Sequence, residues 1–239
     1  MMLPFFSMSN LWNIHTVVFD LDDTLYAERD YVLSGFAAVD EWLRSEQKLT
    51  GFLQLSHQRF KQGHRGRIFD EVLLELRGEN PTQDLVKDLI AVYRQHRPTL
   101  ELFPDAEEVL EWSGNLFNLG LITDGYREVQ ENKIAALALG NRIPFRVVTD
   151  SLGREFWKPH QEPYRRVMQH FGGDASGFVY IGDNPRKDFI GARQLGWRTI
   201  RIRRDLGEHQ DFEPTVTQQA DRDIIDLNEL KGMLSSCRV

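Results

Sequence analysis

The sequence predicts an α/β fold: a Rossmann-like, doubly wound parallel sheet interrupted by an all-helical insertion. Three observations lead there. Short apolar, β-branched runs recur along the chain, and the first four end in an acid, a hydroxyl or a glycine. A helical pattern follows most of them, which is the alternation of strand–helix–strand units. Between residues 27 and 103 strand signals stop and helical spacing takes over. The expected organisation is a core of residues 1–26 and 104–239 holding an insertion of residues 27–103.

The first run, His15 to Phe19, reads as a buried strand and ends in Asp20, Leu21, Asp22, Asp23 and Thr24. Unpaired buried charge is costly, so a strand that delivers acids at its C-terminal end points to a site. In open α/β sheets ligands bind at those ends. Alternation along an extended chain puts Asp20 and Asp22 on one side, where a divalent cation would relieve their repulsion. A calcium loop does not fit, because its sixth and twelfth positions would be Leu25 and Tyr31 rather than Gly and Glu.

Length and composition bound the rest. The 239 residues make one large domain, or one domain with a sizeable insertion. A count of 29 basic against 36 acidic residues argues against a nucleic-acid polymer or a membrane surface as partner. The one cysteine, Cys237, allows no disulfide framework or thiolate metal site, and a reducing, cytoplasmic compartment fits. No apolar run reaches membrane-spanning length. Residues 1–13 carry no Lys or Arg and read as a lead-in to the first strand.

In the insertion, Tyr31, Phe36, Val39, Trp42 and Leu43 recur at helical spacing. Phe52 to Phe60, Ile68 to Leu76 and Leu85 to Tyr93 repeat the pattern, punctuated by Gly78, Pro81 and Pro98. The segment from His57 to Arg67 is basic, with two readings: a solvated helix face, or a patch for a second anionic group.

Beyond the insertion a helix is expected from Asp105 to about Phe117, then a strand ending in Thr123, Asp124 and Gly125. The next helix is expected from Tyr126 to Leu139, capped by Gly140. A strand, a small turn and a helix N-terminus form an anion site, with Thr123 adding a hydroxyl and Gly125 permitting close approach; an ordinary helix cap would look the same. Phe145 to Thr149 is a third strand, followed by Lys158, held extended by Pro159, and a helix opening near Pro163. Phe178 to Ile181 is a fourth strand, ending in Gly182 and Asp183, with Asp188 one helical turn on and Gly196 closing that helix. Trp197 to Ile202 is a fifth. Arg203 to Gln219 reads as loop, and a short strand and a closing helix follow.

Together these stretches resemble the haloacid dehalogenase-like (HAD) superfamily. Asp20, Asp22 and Thr24 match its first signature in the phosphatase form, Thr123 its second, Lys158 before Pro159 its third, and Gly182, Asp183 and Asp188 its fourth. The match covers residues 20–26 and 119–202, and the stretches 121–136 and 182–192 look most like the nucleotidase and N-acylneuraminate-9-phosphatase branch. The resemblance implies that the insertion is a cap that closes over the site and chooses the substrate.

It further implies a phosphomonoesterase acting on a small phosphorylated metabolite, a nucleotide or sugar phosphate. Asp20 would be the nucleophile and Asp22 the general acid and base. Mg²⁺ would be held by the carboxylates of Asp20 and Asp183 and the backbone carbonyl of Asp22. Lys158, Thr123 and the N–H groups near Asp124 and Gly125 would bind the phosphoryl group. Asp188 would support these ligands or pair with Lys158. The acid at position 22 disfavours dehalogenation. Two other readings remain: a sugar phosphomutase, and a non-catalytic binding or regulatory protein that retains the fold.

Overall fold

The structure, a computed structural model, describes residues 12–236. Cys237 and most of the lead-in assigned to residues 1–13 lie outside the described residues. The chain divides into two compact units. One runs to Ala27, takes up Glu101–Gln130 and resumes at Leu137; the other comprises Glu28–Leu100 with Glu131–Ala136.

The second unit is helical. Helices α1 (Glu28–Glu46), α2 (Phe52–Lys61), α3 (Ile68–Arg77) and α4 (Gln83–Gln95) enclose a core of Phe36, Val39, Leu43, Phe52, Val72 and Leu89. Phe36, Val39 and Leu43 are positions that the helical spacing singles out, whereas Trp42, also on that spacing, is only partly buried. Gly51 takes a left-handed φ of 93° before α2 and offers no side-chain cap, so Asp40 of α1 reaches across and accepts from the Leu53 N–H at 3.0 Å. In the basic segment, α3 supplies counter-charges: Glu75 to Arg59 at 2.5 Å and Glu71 to His64 at 2.7 Å. Arg65 stacks over the Phe60 ring and, with Phe36, Phe69, Tyr93 and Arg94, lines a cleft of about 320 Å³.

The first unit carries the sheet. Strands β2 (Thr16–Phe19), β3 (Asn118–Thr123), β4 (Phe145–Val148), β5 (Phe178–Gly182), β6 (Arg198–Ile202) and β7 (Arg222–Ile224) pair in the order β4-β3-β2-β5-β6-β7, all parallel. Strands β2 and β5 are buried along their whole lengths, as near-continuous apolar runs in a parallel sheet should be. Helices α5 (Pro104–Gly114), α6 (Arg127–Ala136), α7 (Glu162–Phe171), α8 (Asp188–Gln194) and α9 (Leu230–Met233) belong to the connections and the C-terminal segment. One cluster joins sheet and helices through Val18, Ile122, Tyr164, Tyr180, Phe189 and Trp197. From β2 the chain works outward to β4, then begins again at β5 and works outward to β7. The reversal lies between β2 and β5, the position at whose carboxyl ends open α/β sheets bind their ligands.

Three local expectations need correction. Trp12–Ile14 is a strand of its own (β1), paired in parallel with Leu234–Ser236 (β8), rather than a lead-in. Ile14 is fully buried there, in a pairing 222 positions distant that local pattern cannot disclose. Helix α6 stops at Ala136, short of Leu139, and Ala138 rather than Gly140 takes the left-handed turn at φ 51°. Leaving the helix early lets Leu137, Leu139 and Ile143 all turn inward. Finally, the strand ends at Phe19, and Leu21 to Leu25 form a turn in which the Leu25 N–H donates to the Leu21 carbonyl at 3.0 Å. Strand alternation therefore does not place Asp22.

The loop from Arg203 to Gln219 has no helix or strand, as expected, yet it is firmly tied. Arg201 of β6, 1% exposed, donates to the carbonyls of His209, Gln210 and Phe212. The Glu208 N–H bonds Asp23 at 3.1 Å, and Arg204 bonds both Asp105 and the Thr24 carbonyl at 2.7 Å.

Candidate active site

Asp20 follows β2 directly, its N–H bonded to the Ile181 carbonyl of β5, and its carboxylate is buried. Asp183 follows β5, and Asp188 opens α8 one turn later. Carboxylate oxygens of Asp20, Asp183 and Asp188 all lie within 4.8 Å of one another. Lys158 reaches in from the loop after β4 and donates to Asp20 and Asp188, both at 2.8 Å, with a side chain that is 0% exposed. The other oxygen of Asp188 accepts from the Asn184 N–H at 2.9 Å, so both of its oxygens are engaged. Gly182 makes this approach feasible, since a Cβ there would stand 2.5 Å from Asp188 Oδ2.

The residues at the end of β3 divide the work. Thr123 is buried, and its Oγ1 makes no hydrogen bond with any described residue. Gly125 has a φ of 129°, backbone that suits glycine, and opens the turn before α6. The side chain of Asp124 faces the scaffold: Oδ1 accepts from the Thr149 hydroxyl at 2.7 Å and from the Lys158 N–H at 3.1 Å. Asp124 thus braces the loop that presents Lys158. The carboxylate of Asp22 turns to other partners, the Tyr26 hydroxyl at 2.5 Å and the Gln130 amide at 3.0 Å.

The acids outnumber their cation. Burial, only partly offset by Lys158, pushes Asp20 from 3.8 up to about 7. Burial and the repulsion of Asp188 and Asp20 hold Asp183 well above the ordinary carboxyl range. Burial opposes the charge on Lys158, but Asp188 and Asp20 outweigh it and its pKa stands well above the usual. Buried, converging carboxylates with too little positive charge are the donor set of a hard divalent cation, and Mg²⁺ fits these residues.

A carboxyl raised in the native state holds its proton more tightly folded than unfolded. Its contribution to stability is complete below the unfolded value near 3.8 and fades as pH rises through about 7. Asp20→Asn has no such proton to lose. In EDTA, the melting temperature of this variant minus that of the wild type is therefore expected to grow between pH 5 and pH 8. A flat difference would mean that Asp20 is not strained by its surroundings.

Four residues of the site escape a reading of the sequence. Gln130 and Tyr26 bind Asp22. The Tyr180 hydroxyl accepts from Lys158 at 3.0 Å and donates to the Ile122 carbonyl at 3.2 Å. Lys187 stands 3.6 Å from Asp124. Tyr180 sits inside an apolar strand and Gln130 inside a helix, where such residues are unremarkable. The four-residue spacing of Asp22 and Tyr26 is the one signal that could have found any of them.

Known proteins share this chain's sequence and fold. Residues 17–202 match the family described as haloacid dehalogenase-like hydrolase. A glyceraldehyde 3-phosphate phosphatase of Methanopyrus kandleri is 31% identical over 211 residues, covering 84% of this chain and 88% of its own. Among solved structures, the HAD-hydrolase YfnB from Bacillus subtilis, crystallised with magnesium, superposes with a TM-score of 0.64 at 19% identity, over 92% of this chain and 98% of its own. At that identity the likeness concerns the fold. A 2-haloacid dehalogenase from Pseudomonas syringae pv. Tomato superposes at 0.62 with 25% identity, over 92% and 97%.

Proposed function

Since the chain belongs to the haloacid dehalogenase-like hydrolases and is a phosphatase among them, we propose that it is a Mg²⁺-dependent phosphomonoesterase that cleaves a small sugar phosphate or nucleotide through an aspartyl-phosphate. The observation that carries this reading is the buried carboxylate of Asp20, fixed by Lys158 and facing Asp183 and Asp188.

In the first step an oxygen of Asp20 attacks phosphorus, and the bond to the leaving oxygen breaks. A proton from Asp22 passes to that oxygen. In the second, water attacks phosphorus, its proton passes to Asp22, and the bond to Asp20 breaks. Lys158, the Thr123 hydroxyl and the backbone N–H groups of the turn at Gly125 oppose the charge on the phosphoryl oxygens. The carboxylates of Asp20 and Asp183 and the carbonyl of Asp22 would hold Mg²⁺, which when bound adds positive charge beside the phosphoryl group.

Position 22 separates phosphate from halide chemistry. A halide leaves without a proton, so a dehalogenase has no use for an acid there. The helical unit would act as the cap, with Glu28–Leu100 selecting the substrate. A nucleotide or sialic-acid phosphate competes with the triose phosphate named for the Methanopyrus relative.

Hydrolysis of p-nitrophenyl phosphate is the first test. Turnover is expected with Mg²⁺ and loss of turnover in EDTA, restored by added Mg²⁺. A folded protein with no turnover in either condition would favour the non-catalytic reading. A screen of phosphorylated sugars, nucleotides and sialic acids then identifies the substrate, and transfer between two hydroxyls of one sugar would mark a mutase.

A further inference from the structure

We infer that Gln130 is a positioning residue that fixes the direction of the Asp22 carboxylate; the inference rests on the reading of Asp22 as proton donor and acceptor. Gln130 lies on α6 and is 2% exposed. Its amide carries two N–H groups, and both have acceptors: Asp22 Oδ2 at 3.0 Å and, by a closer contact, the Asp124 carbonyl. Exchanging nitrogen and oxygen would set an amide oxygen against a carboxylate and a carbonyl, so the acceptors themselves decide the orientation.

The Tyr26 hydroxyl takes the other oxygen of the same carboxylate, Oδ1, at 2.5 Å. Each oxygen of Asp22 is thus gripped by a donor from a different part of the chain. This matters because Asp22 stands in a turn past the end of β2, half-buried, where packing alone leaves several staggered rotamers open. Gly125 completes the arrangement. A Cβ there would lie 2.5 Å from the Gln130 amide nitrogen, so the glycine of the anion turn makes room for the amide that binds Asp22.

The chemical consequence is a shared frame. Through one nitrogen, the proton donor is tied to the Asp124 carbonyl, which lies between Thr123 and Gly125 in the phosphate-binding turn. Proton transfer requires the carboxyl within hydrogen-bond reach of the leaving oxygen, and a misplacement of about 1 Å can cost about a hundredfold. Where the leaving group departs readily as an anion, the placement of the acid matters little. Where it departs poorly, the placement governs the rate.

The test uses the full chain with Mg²⁺ and compares kcat/KM, which reports steps through phosphoryl transfer to Asp20, for p-nitrophenyl and phenyl phosphate. Gln130→Met keeps the length of the side chain and removes the donor. Its kcat/KM is expected to fall only a few-fold on p-nitrophenyl phosphate and by about thirtyfold or more on phenyl phosphate, within the range for misplaced acid catalysis. Tyr26→Phe, which removes the second donor, is expected to show the same split and guards against poor folding of the first variant. Equal losses on both esters, or no loss on either, would overturn the inference. A wild-type chain that cleaves neither ester would instead strike down the phosphatase reading on which it depends.

Discussion

Asp20→Asn is expected to abolish ester hydrolysis, lowering kcat by about 10⁴-fold or more, as when a covalent nucleophile is removed. The fold should survive intact. Asparagine has nearly the shape of aspartate, and the exchange removes one charge from a cluster in which carboxylates of Asp20, Asp183 and Asp188 converge within 4.8 Å. The nearest cation, Lys158, keeps its contact with Asp188 at 2.8 Å. The measurements are single-turnover assays of phosphoenzyme formation and a thermal melt of the same preparation. Rates close to wild type would remove Asp20 from the role of nucleophile. A collapsed fold would instead make the residue structural.

The largest effect on stability is expected at Lys158. Its ammonium is entirely buried between Asp20 and Asp188, and it donates to the Tyr180 hydroxyl. Lys158→Met leaves two buried carboxylates facing each other without compensation, a change that typically costs about 3–5 kcal/mol. Urea unfolding at pH 8 in EDTA should register it. The cost should shrink at pH 5, where the orphaned acids can take up protons, and Mg²⁺ should recover part of it. Lys187→Met makes the control. Lys187 is 31% exposed and 3.6 Å from Asp124, so its loss should cost under about 1 kcal/mol, as for screened pairs. Similar costs for the two variants would mean that the buried network does not hold the ends of the strands together.

The contrast between these two lysines also shows what the sequence can disclose. Asp20, Thr123 and Asp183 were legible because each stands where an apolar run stops, and such endings are costly unless used, whereas Lys158, ten residues past the end of β4, was legible only through its resemblance to the third family signature before Pro159. The helical unit was legible because Phe36, Val39 and Leu43 keep a period that only a helix can bury on one face. The pairing of β1 with β8 was not, since neither strand is long or apolar enough to announce itself and the partner is remote. The direction of Asp22 was hidden for another reason. It depends on a turn at Leu21 and on side chains from α6 and from Tyr26, none of which departs from ordinary local pattern. Periodicity reports which side of an element is buried; it does not report which polar groups meet across the interior.

The guanidinium of Arg201, closed over the carbonyls of His209, Gln210 and Phe212, has an implication for how this chain can vary. The segment it secures also bonds Asp23 through Glu208 and the Thr24 carbonyl through Arg204, in the turn that follows Asp20. An irregular stretch of this kind ordinarily tolerates trimming and grafting. Here its length is set by anchors at either end, and a tag or deletion placed between residues 204 and 212 would be transmitted to the acidic turn rather than absorbed at the surface.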